Sequence, residues 1–168
     1  MKRILTVVSL VVLTFAVTAS LTAGTVGGKT DSYHYAMYLC IQHTADNAKI
    51  LFDQASKGDL NQEMAKDLVE QIGKDLDHAR IYHARLHKSY TEAESQLIAD
   101  EHTIILRGQT KAAEAFAAMK AEFDKSKPDM QVIKAQAAVI FDGTTKAAVA
   151  HLEAMKKLGV NEAKNPTL

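Results

Sequence analysis

The sequence predicts an all-α protein: an antiparallel up-down-up-down four-helix bundle preceded by a secretory signal peptide. Three observations carry that expectation. Among 168 residues there are only two prolines, and beyond residue 28 the chain is rich in Ala, Leu, Lys, Glu and Gln, which favour helix almost throughout. Its apolar residues recur at helical spacing in four segments separated by short polar breaks. Connections that short oblige neighbouring helices to run antiparallel.

The leader comes first. Lys2 and Arg3 precede an uncharged apolar run from Ile4 to Val17, and small residues follow. That order is the mark of a signal peptide, expected over residues 1–23, with cleavage after Ala19 or near Ala23 and Gly24. An uncleaved anchor is the competing reading. The uncharged stretch runs on to Gly28, enough for a spanning helix of about 20 residues. Either way the bundle is expected outside the cytoplasm, periplasmic or extracellular, touching membrane only through this segment if it is retained.

After a linker at 24–32, the bundle is expected over 33–159. The first helix runs from Tyr33 to Lys57 and stops at Gly58, a residue suited to a helix C-terminus. Asp59-Leu-Asn-Gln62 opens the second helix, which extends to about Lys88. Thr91-Glu-Ala-Glu94 has the form of a capping box and starts a third helix reaching Phe123. Asp124 to Lys127 break the pattern, Pro128 suits a first helical position, and the fourth helix ends at Gly159. Residues 160–168 read as a flexible tail.

Charge and cysteine usage exclude several classes. Removing Lys2 and Arg3 from the 20 basic residues leaves 18 against 20 acidic ones, so no basic face recommends nucleic acid. Cys40 is the single cysteine, and no internal disulfide can form. The chain holds no phosphate-binding glycine loop, CxxCH, GxSxG or paired CxxC.

At about 100° per residue, polar side chains can be assigned to core or flank. In the first helix Tyr33, Met37, Cys40, Thr44, Ala48 and Leu51 face inward, with His34 at the edge. The second helix has its stripe along Met64, Leu68, Ile72, Leu76, Ala79 and Leu86, with Asp75 and His83 inside it. The third places Glu94 and Glu101 near the centre of a stripe of Ile98, Ile105, Ala112, Phe116, Met119 and Phe123. The fourth places His151 among Ile133, Ala137, Ile140, Thr144, Ala148 and Met155. His43, His78, His87 and His102 fall on flanks or edges, while Met37 and Met119 read as packing.

With about 1.5 Å of rise per residue, His83, Glu94 and His151 come out within roughly one turn of each other. A neighbouring layer holds Cys40, Asp75, Glu101 and Thr144. Imidazole and carboxylate from facing helices are how bundles build metal sites. The expected ligands of a transition metal (Fe, Zn or Cu) are therefore His83, His151, Glu94 and Glu101. Each has a structural alternative: Glu94 as a helix cap, Glu101 and Asp75 as buried carboxylates bonded to Thr44, Thr144 or an arginine, the histidines as half-exposed core residues.

The architecture is similar to that of ferritin-like di-metal carboxylate proteins, without their Glu-x-x-His signature. Arg80 and Ala148 stand three residues before His83 and His151. The spaced histidines do not follow the hemerythrin pattern either. Met37 and His151 resemble the haem-ligating pair of periplasmic four-helix b-type cytochromes, which makes haem a third expectation.

A non-catalytic envelope scaffold without a cofactor, self-associating or holding a protein partner through Leu39, Ile50, Ile81 and Val139, is the alternative to metal binding. No nucleophile, base and orienting group can be assembled from Cys40 and the histidines, so the reading leans away from an enzyme.

Overall fold

The computed structural model describes residues 29–58 and 60–160, all helix and connecting turns. The expected signal peptide, Asp59 and residues 161–168 lie outside the described residues. Five helices follow one another: α1 (Lys29–Lys57), α2 (Gln62–Ser89), α3 (Glu92–Leu97), α4 (Ala99–Phe123) and α5 (Met130–Lys157). No described helix is long and apolar enough to cross a membrane.

Several boundaries differ from the sequence expectation. Helix α1 begins at Lys29, four residues early, so part of the expected linker is helical; no glycine or proline interrupts the chain from there to Gly58. The N-cap of α2 is Asn61, whose Oδ1 accepts from the backbone N–H of Glu63 and Met64 at 3.0 and 3.1 Å. Pro128 precedes the N-cap of α5 instead of occupying its first turn, because Asp129 supplies the capping oxygen to Gln131 N–H at 2.8 Å. The expected third helix is divided at Ile98, where ψ opens to 15°. Val160, expected as the first residue of the tail, instead packs against the bundle. Gly159, at φ 70°, lets Val160 N–H reach Met155 O at 2.9 Å, and Val160 is buried.

The long helices pack in sequence around a shared core. Helix α1 lies against α2 and α5, α4 lies most extensively against α5, and α2 meets α4 along a much thinner seam. Gly108 and Gly143 let α4 and α5 cross closely, since a Cβ on Gly108 would stand 2.5 Å from Gly143 O. Across the thin seam, Gly73 gives its space to the Phe116 ring.

Two clusters fill the interior. One, near the α1–α2 and α4–α5 turns, is apolar: Leu51, Ile72, Met119, Ile133 and Ile140 among alanines. The other joins Met37, Ile41, Ala79, Leu86 and Ile105. Around its end of the bundle the buried residues include His34, Asp75 and His151. Met64, expected inside, is exposed, and Ala65 takes the inward position.

Candidate metal centre

Asp75 and His78 are three residues apart on α2, hence on one face of the helix, and that face looks toward Cys40 on α1. Single ligand atoms of Cys40, Asp75 and His78 all lie within 4.8 Å of one another. Asp75 is 5 % exposed, yet its Oδ2 has no hydrogen-bond partner among the described residues. A buried carboxylate oxygen left without a partner costs free energy that a cation would recover.

The thiol of Cys40 is pushed up to about 11, first by burial and then by the Asp75 carboxylate. That is the opposite of the activation a cysteine nucleophile needs. It leaves a thiol whose proton a metal ion can displace. His78 is exposed, so the trio opens to solvent on one side. Three protein ligands and an open position form the arrangement of a metal site that admits water or a further ligand.

A second polar group lies toward the Tyr90 end. His34 is fully buried, and its Nε2 meets Tyr90 Oη at 3.2 Å. His151, also buried, donates from Nε2 to His34 O at 2.9 Å. The carbonyl can only accept, which fixes the proton of His151 on Nε2. The two rings stack at 5.2 Å. Burial, then the charge of His151, takes His34 down to about 3. Burial likewise lowers His151, against the hydrogen bond to His34 O.

Beyond them, His83 lies 4.9 Å from His102, and His102 5.0 Å from His87, ring centroid to ring centroid. His83 falls to about 4 through burial and then the neighbouring charges of His102, His87 and His151. His102 is lowered by burial and by His87.

The expected ligands are thus placed as follows. His83 and His151 share one end of the bundle and sense each other electrostatically. Neither carboxylate joins them into a metal-sized group. Glu94 Oε2 accepts from Thr91 N–H at 2.7 Å and Oγ1 at 2.9 Å, completing the capping box. Glu101 pairs with Lys157 at 2.8 Å, and that hydrogen bond is the main reason its carboxyl is held below the usual range.

Thr44 and Thr144 spend their hydroxyls on Cys40 O and Ile140 O within their own helices, which leaves Asp75 without them. Sequence reasoning put Cys40 and Asp75 in one layer and missed His78 and His34. The Asp-x-x-His spacing was the available signal for His78. Comparison of the chain with protein-family models, curated proteins and solved structures gives no match.

Proposed function

We propose that this chain is an exported up-down-up-down bundle that binds a transition metal, with Cys40, Asp75 and His78 as sulfur, oxygen and nitrogen ligands. The observation that carries the reading is the convergence of three ligand types on one point beside a buried, unpartnered Asp75 oxygen. A mixed thiolate, carboxylate and imidazole set suits Zn²⁺, a borderline cation without geometric demands of its own. Binding, storage or delivery of the ion follows more readily from this set than catalysis.

The test is metal content and affinity of the mature protein, purified without chelators. Bound Zn²⁺, or Co²⁺ with thiolate-to-metal charge-transfer absorption, is expected at one equivalent. Cys40→Ser and Asp75→Asn should each weaken binding by at least about tenfold, since even changes behind the ligands cost that much. Unchanged affinity in both variants would refute the site.

The scaffold reading keeps one supporting observation. Ile104 and Val149, exposed on α4 and α5, line a common depression beside Gly108 and Gly143. If that face carries the function, Ile104→Ser with Val149→Ser should abolish self-association or partner capture and leave metal content unchanged.

A further inference from the structure

We infer that His83, His87 and His102 form a second metal site, built wholly from imidazole nitrogen and spanning the thin seam between α2 and α4. It goes beyond the Cys40 site and does not depend on it. At about 100° per residue, the nine positions from His78 to His87 are two and a half turns, which puts these two histidines on opposite sides of α2, with His83 about 80° round the helix from Asp75.

The spacing is the first argument. His83 and His87 stand at i and i+4, the helical separation that brings two imidazoles onto one ion. His102, from α4, lies within 5.0 Å of both rings. As placed, the three rings do not bring a nitrogen each within the 4.8 Å that the Cys40, Asp75 and His78 atoms share, so binding requires them to turn until three nitrogens, each about 2.1 Å from the ion, stand roughly 3 Å apart. His87 is exposed, and turning its ring to complete the set displaces no packed neighbour.

The second argument is hydrogen-bond accounting. Nε2 of His83 and Nε2 of His102 are both buried without a partner among the described residues. A core histidine of the ordinary kind spends its buried nitrogens on carbonyls, carboxylates or water, as His151 spends Nε2 on His34 O. The charged groups acting on His83 are His102, His87 and His151, with no carboxylate among them. No salt bridge therefore explains the cluster. Burial disfavours the charged form of His83 and of His102, so these two imidazoles present lone pairs without a proton in competition.

The ligand class follows from the donors. Imidazole alone, with no thiolate or carboxylate, selects borderline divalent cations, and Cu²⁺ binds nitrogen sites most tightly in the first-row series. The groove along this seam, lined by His83, Leu106, Gln109 and Phe116, leads to the cluster from solvent.

The experiment titrates Cu²⁺ into the mature chain carrying Cys40→Ser and His78→Ala, which removes the first site. Paramagnetic resonance should detect one equivalent with hyperfine coupling to three nitrogens. His87→Ala, at an exposed position, should lower affinity at least tenfold without disturbing the fold. His83→Gln and His102→Gln should do the same, and His43→Ala, exposed on α1, should not. Absence of Cu²⁺ binding, or binding that His87→Ala and His102→Gln leave intact, would overturn the proposal. In the chain with Cys40 and His78 restored, Co²⁺-thiolate absorption that survives His87→Ala would show that the two sites stand or fall separately.

Discussion

On one side of the Gly108–Gly143 crossing the bundle is filled by Leu51, Ile72, Met119, Ile133 and Ile140; toward the other end the buried set includes His34, Asp75 and His151. Both regions exclude water, but buried polar atoms that go unanswered gather toward the second, at Asp75 Oδ2, His34 Nδ1, His83 Nε2 and His102 Nε2, against Gln54 Oε1 near the first and Gln109 Nε2 beside the crossing. An apolar interior is stable by itself. An interior with unpaired acceptors is stabilised by whatever supplies their partner, so the two ends should respond oppositely to truncation, acid and metal.

The largest contrast is expected one helical turn apart on α2. Ile72 is fully buried in the apolar cluster, and Ile72→Ala should cost about 2–5 kcal/mol through lost burial and the cavity left behind. Asp75→Leu, with the same branching and number of side-chain heavy atoms, should instead raise stability by about 1–3 kcal/mol, because it removes an unsatisfied buried oxygen. It should also abolish Zn²⁺ binding. Urea unfolding of the metal-free variants decides the matter. If both substitutions destabilised alike, Asp75 would be satisfied in solution and the contrast between the ends would fail.

Acid should separate the ends next. The folded-state values of His34, about 3, and His83, about 4, lie below the ordinary 6.5 of the unfolded chain. Below pH 6.5 the unfolded state therefore binds protons that the native state refuses. Their contribution is fully present above pH 6.5 and is lost as pH falls toward 4. Each histidine adds about 1.4 kcal/mol per pH unit to the slope within that window. Urea midpoints measured from pH 7.5 to 4.5 should decline steeply. His34→Leu should flatten the curve, and amides near Tyr90 should lose exchange protection before those near Ile133.

The crossing between the clusters gives a smaller effect. A Cβ on Gly108 would stand 2.5 Å from Gly143 O, against 3.1 Å from Gly108 O for one on Gly143. Gly108→Ala should force the helices apart at a cost of about 1–3 kcal/mol, offset by about 1 kcal/mol of helix propensity. Gly143→Ala should be milder. Thermal unfolding that ranked them in reverse order would mean that α4 and α5 do not cross at these residues.

The helices were legible because their signals are local. Gly58, the Thr91 capping box and the stripe from Ile133 to Met155 each announce themselves within a few residues. The break at Ile98 was not legible, since Glu94 to His102 carry neither proline nor glycine. The candidate site was half legible. Periodicity placed Cys40, Asp75 and His83 inward, but His34 and His102 lay at computed edges, where a small rotation of the helix decides between core and solvent. No pattern within one helix reveals that Thr44 and Thr144 turn back to their own carbonyls and leave Asp75 alone.

Glu94 gives the finest test of where the polar end keeps its ligands. As a metal ligand beside His83 and His151, the carboxylate would be indispensable to binding. As the third residue of a capping box, it is bound to Thr91 and matters only to the start of α3. The two roles make different demands on Thr91. Thr91→Ala should cost about 1 kcal/mol, the usual value of an N-cap hydroxyl, while removing one of the two bonds that hold Glu94 Oε2 and leaving the backbone N–H in place. Glu94→Gln keeps the cap's shape and removes the charge, at a cost below about 1 kcal/mol. If Zn²⁺ and Cu²⁺ affinities are the same in wild type and both variants, the metals lie with Asp75 and the imidazoles. A loss of either metal in Glu94→Gln, with affinity kept or raised in Thr91→Ala, would return Glu94 to the site and erase the division between capping and coordinating carboxylates.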